Sequence, residues 1–218
     1  MSVECGASVQ VCAMRFTLLD SSGDVDDVED NSYVSDKVIE VGFDPQIAAG
    51  QAFDLECGCD GISQTFRGRD KLLRFAFALS RAAVEPALMS MLLNVEEITD
   101  GDDVLGIAWG DDLGCQRAEK KVAFEFWTKH WVGDEQDADW PWWHNVYPTT
   151  IWQVGPSAYN GTAFAPEVVN GFTRSNTRWG QGPYGDGPGT DIRRGARFLT
   201  DEDPPAGLCG FQHADPGS

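Results

Sequence analysis

Lys121-Val122-Ala123-Phe124-Glu125-Phe126-Trp127-Thr128-Lys129-His130-Trp131 sets Val122, Phe124 and Phe126 on one side of an extended chain, with Glu125 and Lys129 on the other. A period of two carried by aromatic and β-branched residues marks a strand, and the alternate polar positions predict a half-buried strand of an antiparallel sheet. The pattern recurs upstream. Phe53, Leu55 and Cys57 alternate with Asp54 and Glu56, and over Lys37 to Phe43 the inward set is Ile39, Val41 and Phe43. Gly58-Cys59-Asp60-Gly61 reads as a turn into a strand over Ile62 to Phe66. Leu72 to Leu79 is apolar on both faces and suits a central strand, and further strands are expected around Val104 to Trp109, Thr149 to Val154 and Thr162 to Phe172.

One helix is predicted at about 85–94. Pro86 fits a first helical turn, where its missing N–H is harmless, and Leu88, Met91 and Leu92 follow at helical spacing. Many short strands and one flanking α-helix, without βαβ alternation, predict a mainly-β fold of sandwich or barrel type. Composition changes after Trp179. The run Gly180 to Gly189 and the breaker Asp201-Glu202-Asp203-Pro204-Pro205 divide the chain into a β domain over 1–179 and a Gly/Pro-rich extended C-terminal arm over 180–218. Arg193, Arg194, Arg197, Phe198 and Leu199 are expected to dock that arm onto an acidic neighbour.

The chain has 218 residues, 42% of them hydrophobic and 11% aromatic, enough to bury a core without metals or disulfide staples. Lys and Arg total 16 against 35 Asp and Glu, a formal net charge of −19. Such a surface repels nucleic acid and anionic membranes, which argues against DNA reading; the simpler role of the charge is solubility. The start, Met1-Ser2-Val3-Glu4-Cys5, lacks the basic and apolar regions of a secretory signal, and the best apolar stretch, Leu72 to Val84, carries Arg74 and Arg81. A cytoplasmic origin is the expectation, with the six cysteines as thiols. Cys57 and Cys59 have no second pair at zinc spacing, so packing residues are preferred to a metal site.

Motifs with chemical meaning are few. Gly180-x-Gly182-x-x-Gly185 spells a dinucleotide fingerprint, but Pro183 lies inside it and no helix opens after it, so it reads as a turn-rich linker. The acidic runs Asp24 to Asp30 and Asp100 to Asp103 lack the ligand order of a calcium loop. Trp127 to Tyr147 sets Trp127, Trp131, Trp140, Trp142 and Trp143 around Asp134, Glu135, Asp137 and Asp139, with His130 and His144, the materials of a sugar platform with paired carboxylates. The plainer reading is an acidic hairpin tip between two aromatic strands, whose acids water keeps ordinary. No catalytic, cofactor-binding or metal-binding residue is assigned, and no enzymatic activity or cofactor is expected.

As an ordered set the segments resemble a known family. Tyr33 to Ile47, the Gly50 to Leu55 strand, Arg69-Asp70-Lys71 and Glu85-Pro86-Ala87-Leu88 come first; Phe124-Glu125-Phe126-Trp127-Thr128-Lys129, Trp140-Pro141-Trp142-Trp143, Val146-Tyr147-Pro148 and Phe172 to Pro183 follow. This succession, from about Arg15 to Tyr184, is similar to the major tail proteins of long-tailed siphoviruses, particularly those infecting actinobacteria. The resemblance implies a tail-tube β-sandwich, hexameric rings stacked into a hollow tube around a tape-measure protein, and tail terminator and distal tail proteins as further partners. Viral DNA would pass the lumen without specific binding, and the protein would reside in the virion tail after assembly in host cytoplasm. The family brings no catalytic residue or cofactor. Other readings are another tail component of the same fold lineage, or a carbohydrate-binding module or glycosidase using Trp127 to Tyr147.

Charge fits an assembling subunit. Between Asp20 and Asp60 there are twelve acids and one base, Lys37, while Arg67, Arg69, Lys71, Arg74 and Arg81 form an opposite block suited to heterologous contact between copies. The acids of Asp24 to Asp30 and Asp54 to Asp60 are also the candidates for a channel wall that repels phosphate, with the outer surface as the competing location.

Overall fold

The computed structural model describes residues 7–56, 62–93, 95–101, 103–109, 119–156, 166–188, 192–206 and 209–214. The chain is mainly β with one helix, and its largest unit is a ten-stranded antiparallel sheet. In order of position across it run β14 (Gly210–Gln212), β2 (Ser32–Ser35), β1 (Ala7–Leu19), β9 (Lys121–Val132), β11 (Trp142–Val154), β12 (Glu167–Thr173), β6 (Lys71–Arg81) and β3 (Val38–Ala48). The short β10 (Glu135–Gln136) pairs with β9, and β13 (Ala196–Thr200) pairs with β11. Two separate hairpins join β4 (Ala52–Glu56) to β5 (Ile62–Arg67) and β7 (Glu96–Asp100) to β8 (Asp103–Ala108). The predicted turn at 58–61 lies outside the described residues, as does the predicted start of the last strand at 162–165.

The sheet folds over on itself. Strands β9 and β6 are separated by β11 and β12, so a flat sheet would hold them about 14 Å apart. Yet the Phe77 and Phe124 ring centroids are 5.6 Å apart, and Phe77 also lies 5.9 Å from Trp152. The fold between the layers occurs in β11. Its first half pairs with β13 through Trp142 to Val146 and its second half with β12 from Thr150 to Val154. Pro148 sits at the break, where the register to β9 also slips between Tyr147 and Thr150. A proline cannot donate to the ladder, and an irregularity there lets one strand serve two layers.

Between the layers lies the main core: Met14 and Phe16 of β1, Phe77 and Leu79 of β6, Val122, Phe124 and Phe126 of β9, and Tyr147 and Trp152 of β11. The helix α1 (Pro86–Leu93) closes one end with buried Leu88, Met89, Met91 and Leu92. Trp152 faces Gly171 across the β11–β12 ladder, and a Cβ at 171 would meet the indole at 2.7 Å. Only glycine lets that ring lie flat on the neighbouring backbone.

Three expectations change. Glu125, expected on a solvated face, is 1% exposed, because β9 is covered on both sides. Described parts of 180–218 supply that cover: β13 pairs with β11 and β14 with β2, so Arg197, Phe198 and Leu199 lie in a strand of their own subunit's sheet. Finally, the supposed inward set of β3 is half open, with Ile39 and Phe43 exposed and only Val41 packed on the core.

Candidate assembly surface

Two regions stand out from the ordinary pattern of apolar inside and polar outside. The first is a long hairpin over residues 38–81. Strand β3 pairs with β6 from Val38↔Arg81 to Ala48↔Lys71, and β4 pairs with β5 from Ala52↔Arg67 to Glu56↔Ile62, so the two ladders form one nested ribbon. They meet at Gly50, whose N–H donates to Asp70 Oδ1 at 2.9 Å; a Cβ there would fall 1.8 Å from the Gly68 carbonyl oxygen, so the close approach requires glycine.

The foot of this hairpin is anchored by charge. Arg81 is fully buried; its Nη1 donates to Glu85 Oε2 at 3.0 Å and its Nη2 to Glu167. Glu85 also accepts from the hydroxyls of Ser35 at 3.0 Å and Tyr33 at 3.3 Å. Burial works against the Arg81 charge and lowers its pKa despite Glu85. Arg81 therefore leaves the basic surface block expected from sequence and becomes an internal tie between β6, β12 and Glu85, the residue just before α1.

Beyond the foot, apolar side chains face outward. Ile39, Phe43, Ile47, Phe66 and Leu73 are each at least half exposed, and Leu72 is 39% exposed. Strand β3 is the last in the sheet order and has no partner on its outer side among the described residues. Pro45 lies on it, at an edge where a missing N–H is tolerated, and Glu40 and Asp44 are exposed beside it. The edge is thus guarded against indiscriminate pairing, while the side-chain surface stays apolar. Arg67, Arg69, Lys71 and Arg74 lie exposed over 67–74, a stretch whose one acid is Asp70.

The second region is a buried charged floor beneath the C-terminal arm. Arg15 Nε and Nη2 donate to the two oxygens of Glu125 at 2.7 and 2.9 Å, and Nη2 also donates to Asp186 Oδ2 at 2.7 Å. The Arg15 guanidinium lies 3.6 Å from the centre of the Tyr184 ring and 5.1 Å from that of Trp127. His144 Nε2 donates to Glu125 Oε1 at 3.1 Å, and its ring stacks on Trp127 at 4.3 Å. Burial opposes the Glu125 charge, but Arg15 and the hydrogen bond from His144 prevail and hold its pKa down at about 2. The same carboxylates raise Arg15 against its own desolvation. Around the floor, Trp179 and Ile192 pack with Leu19, Ala123 and Val146 in a second core, against which Phe198 also rests.

Glu125, His144 and Asp186 are residue types that bind metals, and their ligand atoms lie within 4.8 Å of one another. Arg15 already bridges the two carboxylates and supplies the positive charge at their centre. A carboxyl held near 2 is also a poor proton donor at neutral pH.

Three tryptophans of the stretch that suggested sugar binding are engaged within the subunit, while Trp140 is exposed. Trp127 is buried on the arm side, Trp142 Nε1 donates to Asp203 at 3.2 Å, and Arg197 lies 4.7 Å over the Trp143 ring. Asp134, Glu135 and Asp139 are exposed, and Asp137 Oδ1 is occupied by the N–H groups of Asp139 and Trp140 at 2.9 and 2.7 Å. Sequence reasoning passed over Arg15, Asp186 and His144 as partners of Glu125. A charge set between Phe124 and Phe126, in the otherwise apolar run Val122 to Trp127, was the available signal.

No family model matches this chain, and no curated protein matches it in sequence. Among the described residues no helix is long and apolar enough to cross a membrane.

Proposed function

We propose that this chain is a structural virion protein, the tube-forming major tail subunit of a long-tailed bacteriophage. The observation that carries the reading is the 38–81 hairpin, which holds Ile39, Phe43, Ile47, Phe66 and Leu73 in water at the open end of the sheet. Exposed apolar side chains collected on one extension mark a surface that another macromolecule covers. The ordered resemblance to siphovirus tail proteins supplies the identity of that macromolecule: further copies of the same chain. Six copies close a ring, rings stack into a tube around a tape-measure protein, and terminator and distal proteins finish its ends. The net charge of −19 suits a conduit, because each carboxylate on its wall repels passing phosphate.

Electron microscopy of the purified protein, concentrated or seeded with short tubes, tests this directly. Rings at low concentration and tubes at high concentration are expected, with no measurable affinity for duplex DNA at physiological salt. A species that stays monomeric under every seeding condition overturns the reading, and rings that never stack point to the terminator or distal alternatives.

A further inference from the structure

The junction between the two ladders of the hairpin, at Arg67 to Lys71, carries charges that find no close partner among the described residues. Arg69 and Lys71 are exposed and pair with no acid among the described residues, while Arg67 reaches Asp70 only at 3.7 Å. A complementary surface exists elsewhere on the same chain. The loop between β1 and β2 exposes Asp27, Glu29 and Asp30, which likewise pair with no cation among the described residues, and Val28 stands 43% exposed among them.

The two surfaces belong to strands at different ends of the sheet order, β3–β6 and β1–β2. Strand β3 has 11 residues, so this junction lies about 35 Å along the ribbon from its anchored foot. We propose that the basic junction of the 38–81 hairpin, with the exposed apolar side chains beside it, docks on the acidic 24–30 loop of a second copy of this chain; this rests on the tube-subunit reading and names its contact. Because the two patches differ, the contact is heterologous and propagates from copy to copy instead of closing a dimer. Val28 meets the apolar face of the hairpin, and the charges set which way the copies join. The acids of 24–30 then belong to an interface and not to the channel wall.

Charge exchange between full-length variants tests the contact. Arg69→Glu/Lys71→Glu and Asp27→Lys/Glu29→Lys are each expected to raise the concentration for half-maximal self-association at least about tenfold, read by sedimentation. Circular dichroism and thermal midpoints should match the parent, since all four side chains are exposed. Mixing the two variants restores association, because each acidic hairpin then meets a basic loop and each basic hairpin an acidic one. Either variant associating at the parent concentration, or a mixture that fails to recover, overturns the proposal. Microscopy separates this from the tube reading: a parent that associates without forming tubes removes the tube, while the charge exchange still decides the contact. A parent that does not associate removes both.

Discussion

The floor beneath the arm and the face of the hairpin invert the usual distribution in opposite senses. At the floor, Arg15, Glu125, His144 and Asp186 are polar groups sealed inside; on the hairpin, Ile47, Phe66 and Leu73 are apolar groups left in water. Each inversion costs free energy in the isolated subunit unless something compensates it. The floor is compensated internally, since the charges and hydrogen bonds meet within the chain. The hairpin is compensated only when another surface covers it. The difference separates what holds the chain to itself from what is available to hold it to others, and mutations in the two regions should affect different observables.

The largest effect is expected at Arg15. Arg15→Met removes the cation from between Glu125 and Asp186 and leaves two carboxylates facing each other in a nearly dry site. Breaking a buried pair in this way costs about 3–5 kcal/mol, to be read from urea unfolding of the subunit. The arm should also become accessible to protease, since Asp186 and Tyr184 lose their anchor. A loss below about 1 kcal/mol would mean that the floor is not what fastens the arm.

Acid should weaken the same region. Glu125 has a folded pKa of about 2 against an ordinary value of 4.5, so its contribution is fully present above about pH 4.5. As pH falls, the unfolded chain takes up the proton first, and the contribution disappears as pH passes through 2. The stability at stake is about 3 kcal/mol, visible as a falling urea midpoint over that window. Glu125→Gln should flatten this dependence; a profile as steep as the parent's would assign the acid sensitivity to other carboxylates.

Tyr184 sharpens the picture further. Its ring lies directly against the Arg15 guanidinium, so Tyr184→Ala should cost about 1–2 kcal/mol through lost cation–π contact and packing. Tyr184→Phe keeps the ring and should stay close to the parent in the same unfolding measurement. Equal losses in both variants would show that the hydroxyl, not the ring, matters.

The fold was legible where alternation ran unbroken and hidden where it did not. Val122, Phe124 and Phe126 announced both the strand and its core face, and Pro86 with Leu88, Met91 and Leu92 announced the helix. Strand β1 was missed although it has 13 residues. Its register to β9 slips on either side of Val11, and Gln10 takes a positive φ of 56°, so the apolar positions change parity from Val11 and Ala13 to Met14 and Phe16. The arm reads as extended because its glycines and prolines disfavour regular structure, and nothing local tells that Arg15 lies 171 residues away from its partner Asp186. The hairpin's strands were visible, but alternation cannot tell a face turned to the chain's own core from one left for another copy.

That ambiguity sets the last and smallest effect on stability. Ile47 and Leu73 lie on the hairpin, with 59% and 50% of their surface open. Ile47→Thr/Leu73→Thr preserves β-branching or strand propensity while replacing apolar surface by hydroxyl, so each site should change unfolding free energy by no more than about 0.5 kcal/mol. Assembly should respond quite differently. If these side chains are buried between copies, the lost burial is about 1–2 kcal/mol per contact, which raises the concentration needed for tube formation about 5- to 30-fold. Thermal unfolding of the dilute subunit and turbidity of the concentrated one measure the two quantities on the same variant. A drop above about 1 kcal/mol in the dilute subunit would mean that the hairpin packs on its own chain, and the contrast with the floor would fail. Unchanged turbidity would mean that these side chains stay in water in the assembled state, leaving the charged junction to make the contact without them.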